Sequence, residues 1–161
     1  MVSELQAPPL AAPASEIVEV TEDDLPLMVD MAEGFFREGS LPGVFDAKVF
    51  LQSWTYLLKS GLCRIIGLRV HGSIVGALGF TVMADLNTTL VNAQELFWFV
   101  APEHRRGRAA FTLLAAYENK ARALGAHSVT MAHLESTHQD LGRFYERKGY
   151  SKVETYYRKD L

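Results

Sequence analysis

The run Leu96-Phe-Trp-Phe-Val100, closed by Pro102 and followed by Glu-His-Arg-Arg-Gly-Arg-Ala-Ala, leaves the backbone few choices. Aromatic and β-branched residues favour a pleated, buried strand, and Pro102 has no N–H to offer a ladder, so the strand stops by then. Downstream, Phe111, Leu114, Ala115, Glu118 and Arg122 recur at spacings of three and four. That spacing predicts an amphipathic helix reaching Leu124 and ended by Gly125. Between strand and helix lies the basic turn Arg105-Arg-Gly-Arg-Ala-Ala110. The first turn of a helix has backbone N–H groups without partners, and the helix dipole adds partial positive charge. Small side chains there let an anion reach the backbone, so this strand, turn and helix predict a phosphate-binding element.

The rest of the chain supplies the frame. Glu16 to Val20 alternates as a short half-buried strand, and Thr21 caps a helix reaching about Gly39, with Leu27, Met31 and Phe35 on its apolar stripe. Asp46 reads as the cap of a second helix carrying Phe50, Trp54, Leu57 and Leu58 and ending at Gly61. Leu62 to Val70 and Ile74 to Met83 flank His71-Gly72-Ser73 as a hairpin, and Asp85 to Thr89 turns the chain into the strand that starts at Glu95. After Gly125, His127 to His133 reads as a parallel strand, because a helix separates it from its neighbour. A short helix around Leu141, Phe144 and Tyr145 closes at Gly149, and Ser151 to Arg158 reads as a terminal strand. The order βααβββαβαβ predicts a single α/β domain with a mixed, mostly antiparallel sheet flanked by helices. It spans residues 16–161 behind a flexible Ala/Pro-rich tail, Met1 to Ser15.

Charge and cysteine content narrow the function class. A net charge of -3 over 161 residues argues against bulk electrostatic binding to nucleic acid, while a local basic turn remains free to hold phosphate. Cys63 is the one cysteine and reads as core, so no internal disulfide forms. No run is long enough to span a membrane, and the N-terminal segment lacks the basic start and apolar run of a signal peptide. The expectation is a cytoplasmic protein with no nucleic-acid or membrane partner, and monomer and homodimer both stay open.

Two blocks, Val100-Ala-Pro-Glu-His-Arg105 through Leu114 and Arg143-Phe-Tyr-Glu-Arg-Lys-Gly-Tyr150, give the chain a family likeness. It resembles the GNAT superfamily of N-acetyltransferases, whose order of elements fits all of residues 16–159. The resemblance implies acetyl-CoA as cosubstrate and an amine as acceptor. It implies that the backbone at Phe99 and Val100 pairs with the pantetheine arm, and that Arg105, Arg106, Gly107, Arg108, Ala109 and Ala110 hold the pyrophosphate. Arg108 stands where the family pattern usually has glycine. Either the turn shifts so that Gly107 gives the close approach, or Arg108 keeps a helical backbone and turns its guanidinium toward solvent or phosphate. His138 stands where the superfamily frequently has Asn, and is a candidate for hydrogen bonding to the pantetheine.

Acetyl transfer to an amine needs a base for the ammonium proton, a donor for the thioester oxygen and an acid for the leaving thiolate. Glu95, at the position of a family catalytic glutamate, is the candidate base. Tyr145, matching the tyrosine that members of the family place near the cofactor sulfur, is the candidate acid, and the amide of Val100 the candidate oxygen donor. In the family the acceptor lies between the first two helices and the loops after the meander and before the last strand, which points here to Phe35, Phe36, Arg37, Leu41 and Tyr156. His133 and His138 lack a third ligand at metal spacing, so no metal is expected. The alternative is a non-catalytic acyl-CoA-binding or interaction module that keeps the fold.

Overall fold

A computed structural model describes residues 15–134 and 141–161. Five strands form one sheet in sequential order: β1 (Ser15–Glu19), β2 (Arg64–Val70), β3 (Ser73–Ala84), β4 (Val91–Val100) and β5 (Ser128–Thr130). The first four pair antiparallel and β5 joins β4 in parallel. Helices α1 (Val29–Glu38) and α2 (Ala47–Lys59) follow β1, α3 (Ala109–Ala123) follows β4, and α4 (Leu141–Arg147) follows β5. The tail expected at the N-terminus, apart from Ser15, lies outside the described residues, and so does His138.

Local chemistry sets most boundaries. Asp46 Oδ1 accepts the amides of Lys48 and Val49 at 2.8 and 3.1 Å, capping α2 as its sequence predicts. His71 and Gly72 both take positive φ, 50° and 84°, the conformation that a two-residue hairpin loop demands and that glycine adopts without strain. The helix expected from Thr21 to Gly39 is in fact two pieces. Residues Glu22–Met28 form a 3-10 turn around Pro26, whose missing N–H prevents an uninterrupted α-helix, and α1 begins only at Val29.

Two cores lie on opposite sheet faces. On one, Val20, Leu25, Met28, Ile65, Ile74 and Ala77 pack with Trp54, Leu58 and Phe97 under α1 and α2. On the other, Ile66, Leu68, Leu78 and Phe80 pack against Leu113, Leu114, Tyr117 and Ala121 of α3, with Phe144 of α4 beside them. Burying each of these leucines stabilises the fold by roughly 1.5–3 kcal/mol relative to exposure. The α3 stripe is therefore displaced from the Phe111-Ala115 line, and Phe111 is 46% exposed, lying edge-on to Phe144 at 5.4 Å.

Two expected strands change. The strand expected at His127 to His133 shrinks to three residues: its ladder with β4 ends at the Gln94–Thr130 pair, just before the register of β4 shifts at Leu96. The strand expected at Ser151 to Arg158 does not form: residues 151–161 carry no regular structure, with Val153, Tyr156 and Tyr157 exposed at 80%, 79% and 94%. Their β-propensity counts only where a sheet edge offers a half-buried surface, and a three-residue β5 offers little.

Candidate active site

The site is built where β4 and β5 part. β3 and β4 slip register between Gly79 and Phe80: Gly79 opposes Phe97 while Phe80 opposes Glu95, so Leu96 is an extra, unmatched residue. Side chains normally alternate along a strand, and the bulge resets that alternation. Ala93 before it and Trp98 and Val100 after it all pack on the α3 face, whereas Phe97 joins the α1/α2 face.

Glu95 turns to the α3/α4 side and is buried, at 9% exposed. Its Oε2 accepts the amide of Ala132 at 2.8 Å, beyond the last β4–β5 pair. Burial pushes its carboxyl up to about 7, with the Ala132 amide pulling the other way. The Tyr145 hydroxyl donates to the carbonyl of the same residue, Ala132, at 3.1 Å. One residue's backbone thus holds both candidate proton carriers. Burial, and then the charge of Glu95, raise the Tyr145 phenol, so it stays protonated at neutral pH. Tyr117, whose hydroxyl donates to Thr130 O at 3.2 Å, is raised by the same two causes.

Among the described residues the β5 side of β4 carries no ladder beyond Gln94. Ala101 donates to Val75 O at 2.9 Å toward β3, so by alternation the amides of Val100 and Trp98 point to the free edge and that of Phe99 does not. Phe99 contributes its ring instead, on the opposite face, against Phe35 at 6.1 Å and beneath the Arg105 guanidinium at 4.9 Å. Trp98 packs between β4 and α4, its ring 6.1 Å from Phe144 and 6.3 Å from Tyr145, and its buried Nε1–H has no hydrogen-bond partner among the described residues.

In the basic turn, Arg105 is held by protein groups. Its Nε donates to Val100 O at 2.7 Å and its Nη2 to Glu38 at 2.7 Å, tying the turn to the end of α1. Arg106, Gly107 and Arg108 lie at the surface. Arg108 has φ −91° and ψ 0°, so of the two arrangements open to it the turn adopts the helical one. Among the described residues no backbone acceptor meets the amides from Arg106 to Phe111, including those of Ala109 and Ala110. This is the anion-binding geometry of a helix start.

Across the sheet, α1, α2 and β4 enclose an open cavity of about 200 Å³. Phe35 and Phe36 from α1, Phe50 and Trp54 from α2, and Phe97 and Phe99 from β4 supply its aromatic lining, and the remaining lining residues are apolar or aromatic as well. Trp54 meets Phe97 edge-on at 5.1 Å. Of the residues expected around the acceptor, Phe35 and Phe36 line this cavity, while Arg37, Leu41 and Tyr156 do not. No sequence pattern announces it, because its walls come from elements far apart in the chain and read individually as core. Among the described residues no three metal-ligating side chains gather, and no helix is long and apolar enough to cross a membrane.

Comparison with known proteins adds a family and a fold. The model of the acetyltransferase (GNAT) family matches residues 25–150. Among solved structures, a ribosomal-protein-alanine N-acetyltransferase from Brucella melitensis superposes with a TM-score of 0.74 at 18% identity, covering 92% of this chain and 99% of its own. A predicted acetyltransferase from Clostridium acetobutylicum, solved with acetyl-CoA, gives 0.75 at 15% identity, with 92% and 97% covered. An aminoglycoside acetyltransferase from an uncultured soil metagenomic sample, in complex with sisomicin, gives 0.72 at 16% identity, with 91% and 96% covered. Among curated proteins none matches in sequence.

Proposed function

The chain belongs to the acetyltransferase (GNAT) family, and on that premise we propose that it moves an acetyl group from acetyl-CoA to a primary amine by direct attack, with Glu95 as general base and Tyr145 as general acid. The observation that carries this reading is the pair itself: a buried carboxyl at about 7 and a protonated phenol, both bonded to the backbone of Ala132 where β4 and β5 diverge. Burial raises both groups, so near neutral pH the carboxyl is poised to accept a proton while the phenol still carries one.

The chain's own groups fit acetyl-CoA. The unmet amides from Arg106 to Phe111 suit a pyrophosphate, and the free-edge amides of Trp98 and Val100 suit an extended arm lying along β4. The bound acetyl-CoA supplies a thioester whose carbonyl carbon forms a new bond to nitrogen as its bond to sulfur breaks. Glu95 takes the proton that the ammonium must lose before its nitrogen can attack. The Val100 amide, fixed by the sheet, donates to the oxygen on which charge builds. Tyr145 swings its O–H from the Ala132 carbonyl and gives its proton to the departing sulfur, and its phenolate then takes the second proton, which the nitrogen sheds as the amide forms.

The aromatic cavity on the far face of β4 argues for the acceptor class: an amine whose non-reacting part is apolar. A polycation has no carboxylate to meet among those walls, and desolvating its extra charges would be costly. Incubation with acetyl-CoA and a mixed amine library, read by mass spectrometry, tests both statements. Acetylated arylalkyl or branched alkyl amines are expected, and Glu95→Gln is expected to lower turnover with little change in acetyl-CoA affinity. Wild-type turnover in that variant would remove Glu95 from the mechanism. Binding of acetyl-CoA with no CoA released by any amine would favour the non-catalytic module instead.

A further inference from the structure

We propose that Trp98 is a further acyl-CoA-binding residue, its indole Nε1–H donating to a carbonyl of the pantetheine-thioester arm; the proposal rests on the acyl-CoA reading above. A buried N–H with no acceptor is costly, and native structures keep few of them without a ligand, water or function to explain them. Trp98 Nε1 is such a group: its atom is buried and nothing among the described residues accepts from it.

Its surroundings say what kind of acceptor fits. The Leu96 bulge puts Trp98 on the same face as Ala93 and Val100, the face toward which Glu95 also turns. Its indole belongs to the stretch of β4 that has no partner on the β5 side among the described residues, 6.3 Å from the ring of Tyr145, the candidate acid. The neighbouring rings of Phe144 and Tyr145 make the rest of the wall apolar, so a neutral carbonyl suits the donor better than a charged phosphate, which the exposed turn at 106–108 can meet in water. Acyl-CoA offers neutral carbonyls of two kinds, the amides of the pantetheine and the thioester.

Titration calorimetry of wild type and Trp98→Phe with CoA and with acetyl-CoA separates these sources. Losing one neutral hydrogen bond is expected to weaken binding about fivefold. An equal loss for both ligands assigns the bond to a pantetheine amide, and a loss confined to acetyl-CoA assigns it to the thioester. Unchanged affinity for both overturns the proposal, whereas a wild-type protein that binds neither overturns the acyl-CoA reading itself. Because Phe also removes packing area, the deciding measurement is made on the unaltered protein. In a nitrogen-15 NMR spectrum the Trp98 indole proton, told from that of Trp54 with a Trp54→Phe sample, should move downfield and exchange more slowly when CoA or acetyl-CoA is added. A Trp98 indole signal that stays in place at saturation overturns the proposal whatever the calorimetry shows.

Discussion

Replacing Glu95 by glutamine should change how stability depends on pH. The carboxyl is pushed from an ordinary 4.5 to about 7 by burial, so the folded state disfavours its charged form. With the folded pKa above the unfolded one, this group's contribution is fully present below about 4.5 and is lost as pH rises through 7. Integrating between those values, the wild type should lose about 2.5 kcal/mol from this residue between about pH 5 and pH 8. The group is 9% exposed, so solvent screening discounts little of that figure. The glutamine side chain would keep an acceptor for the Ala132 amide and would not titrate, giving a constant offset with no slope. Urea unfolding of both proteins at roughly half-unit steps across that window reads the difference, because everything common to both proteins cancels. The variant should gain about 2.5 kcal/mol on the wild type from one end to the other. Curves that stay parallel to within about 0.5 kcal/mol would show that Glu95 titrates alike folded and unfolded, and would withdraw the argument that burial tunes it as a base.

Three further outcomes are expected. Arg108→Gly should weaken acetyl-CoA binding about fivefold at low salt and less at high salt, since the backbone there is already helical and only the guanidinium is lost; tighter binding, measured by calorimetry at two ionic strengths, would contradict this. Gly79→Ala would put a Cβ 2.2 Å from Phe97 Cε1, displacing a ring on the cavity wall, so unfolding should show a loss of about 1–3 kcal/mol together with a raised KM for the apolar amine, and unchanged stability would show that the ring yields freely. Tyr145→Phe removes the bond to Ala132 O, which should cost about 1 kcal/mol of stability and slow CoA release, while wild-type release in stopped-flow thiol detection would rule out the phenol as the acid.

What can be read from the sequence is what rests on local chemistry. Asp46 caps α2 through bonds two and three residues away, His71-Gly72 turns within its own hairpin, and the basic turn leads into α3 as its spacing predicts. Glu95 and Tyr145 stand out by their places relative to the two motifs, and the fold brings both to the backbone of Ala132. The features that stay hidden depend on distant partners. Arg105 reads as a phosphate ligand in a basic loop, yet Glu38, far back in the chain, and the Val100 carbonyl hold its guanidinium. The terminal strand fails for the same kind of reason: Tyr156 and Tyr157 have strand-forming side chains, but the strand they would join stops after three residues.

Leu96 carries a consequence for comparing this chain with others. Odd positions before it and even positions after it look toward α3, so β4 behaves as two short strands joined out of phase on one backbone. Glu95 and Trp98 stand three positions apart, and in a regular strand that separation would send them to opposite sides of the sheet. Taking out the extra residue would restore strict alternation and leave Glu95 and the Trp98 indole on one side. A relative with a regular strand here would therefore need a gap opposite Leu96, and pairing its residues one by one through that point would match residues of the α3 face with residues of the α1/α2 face.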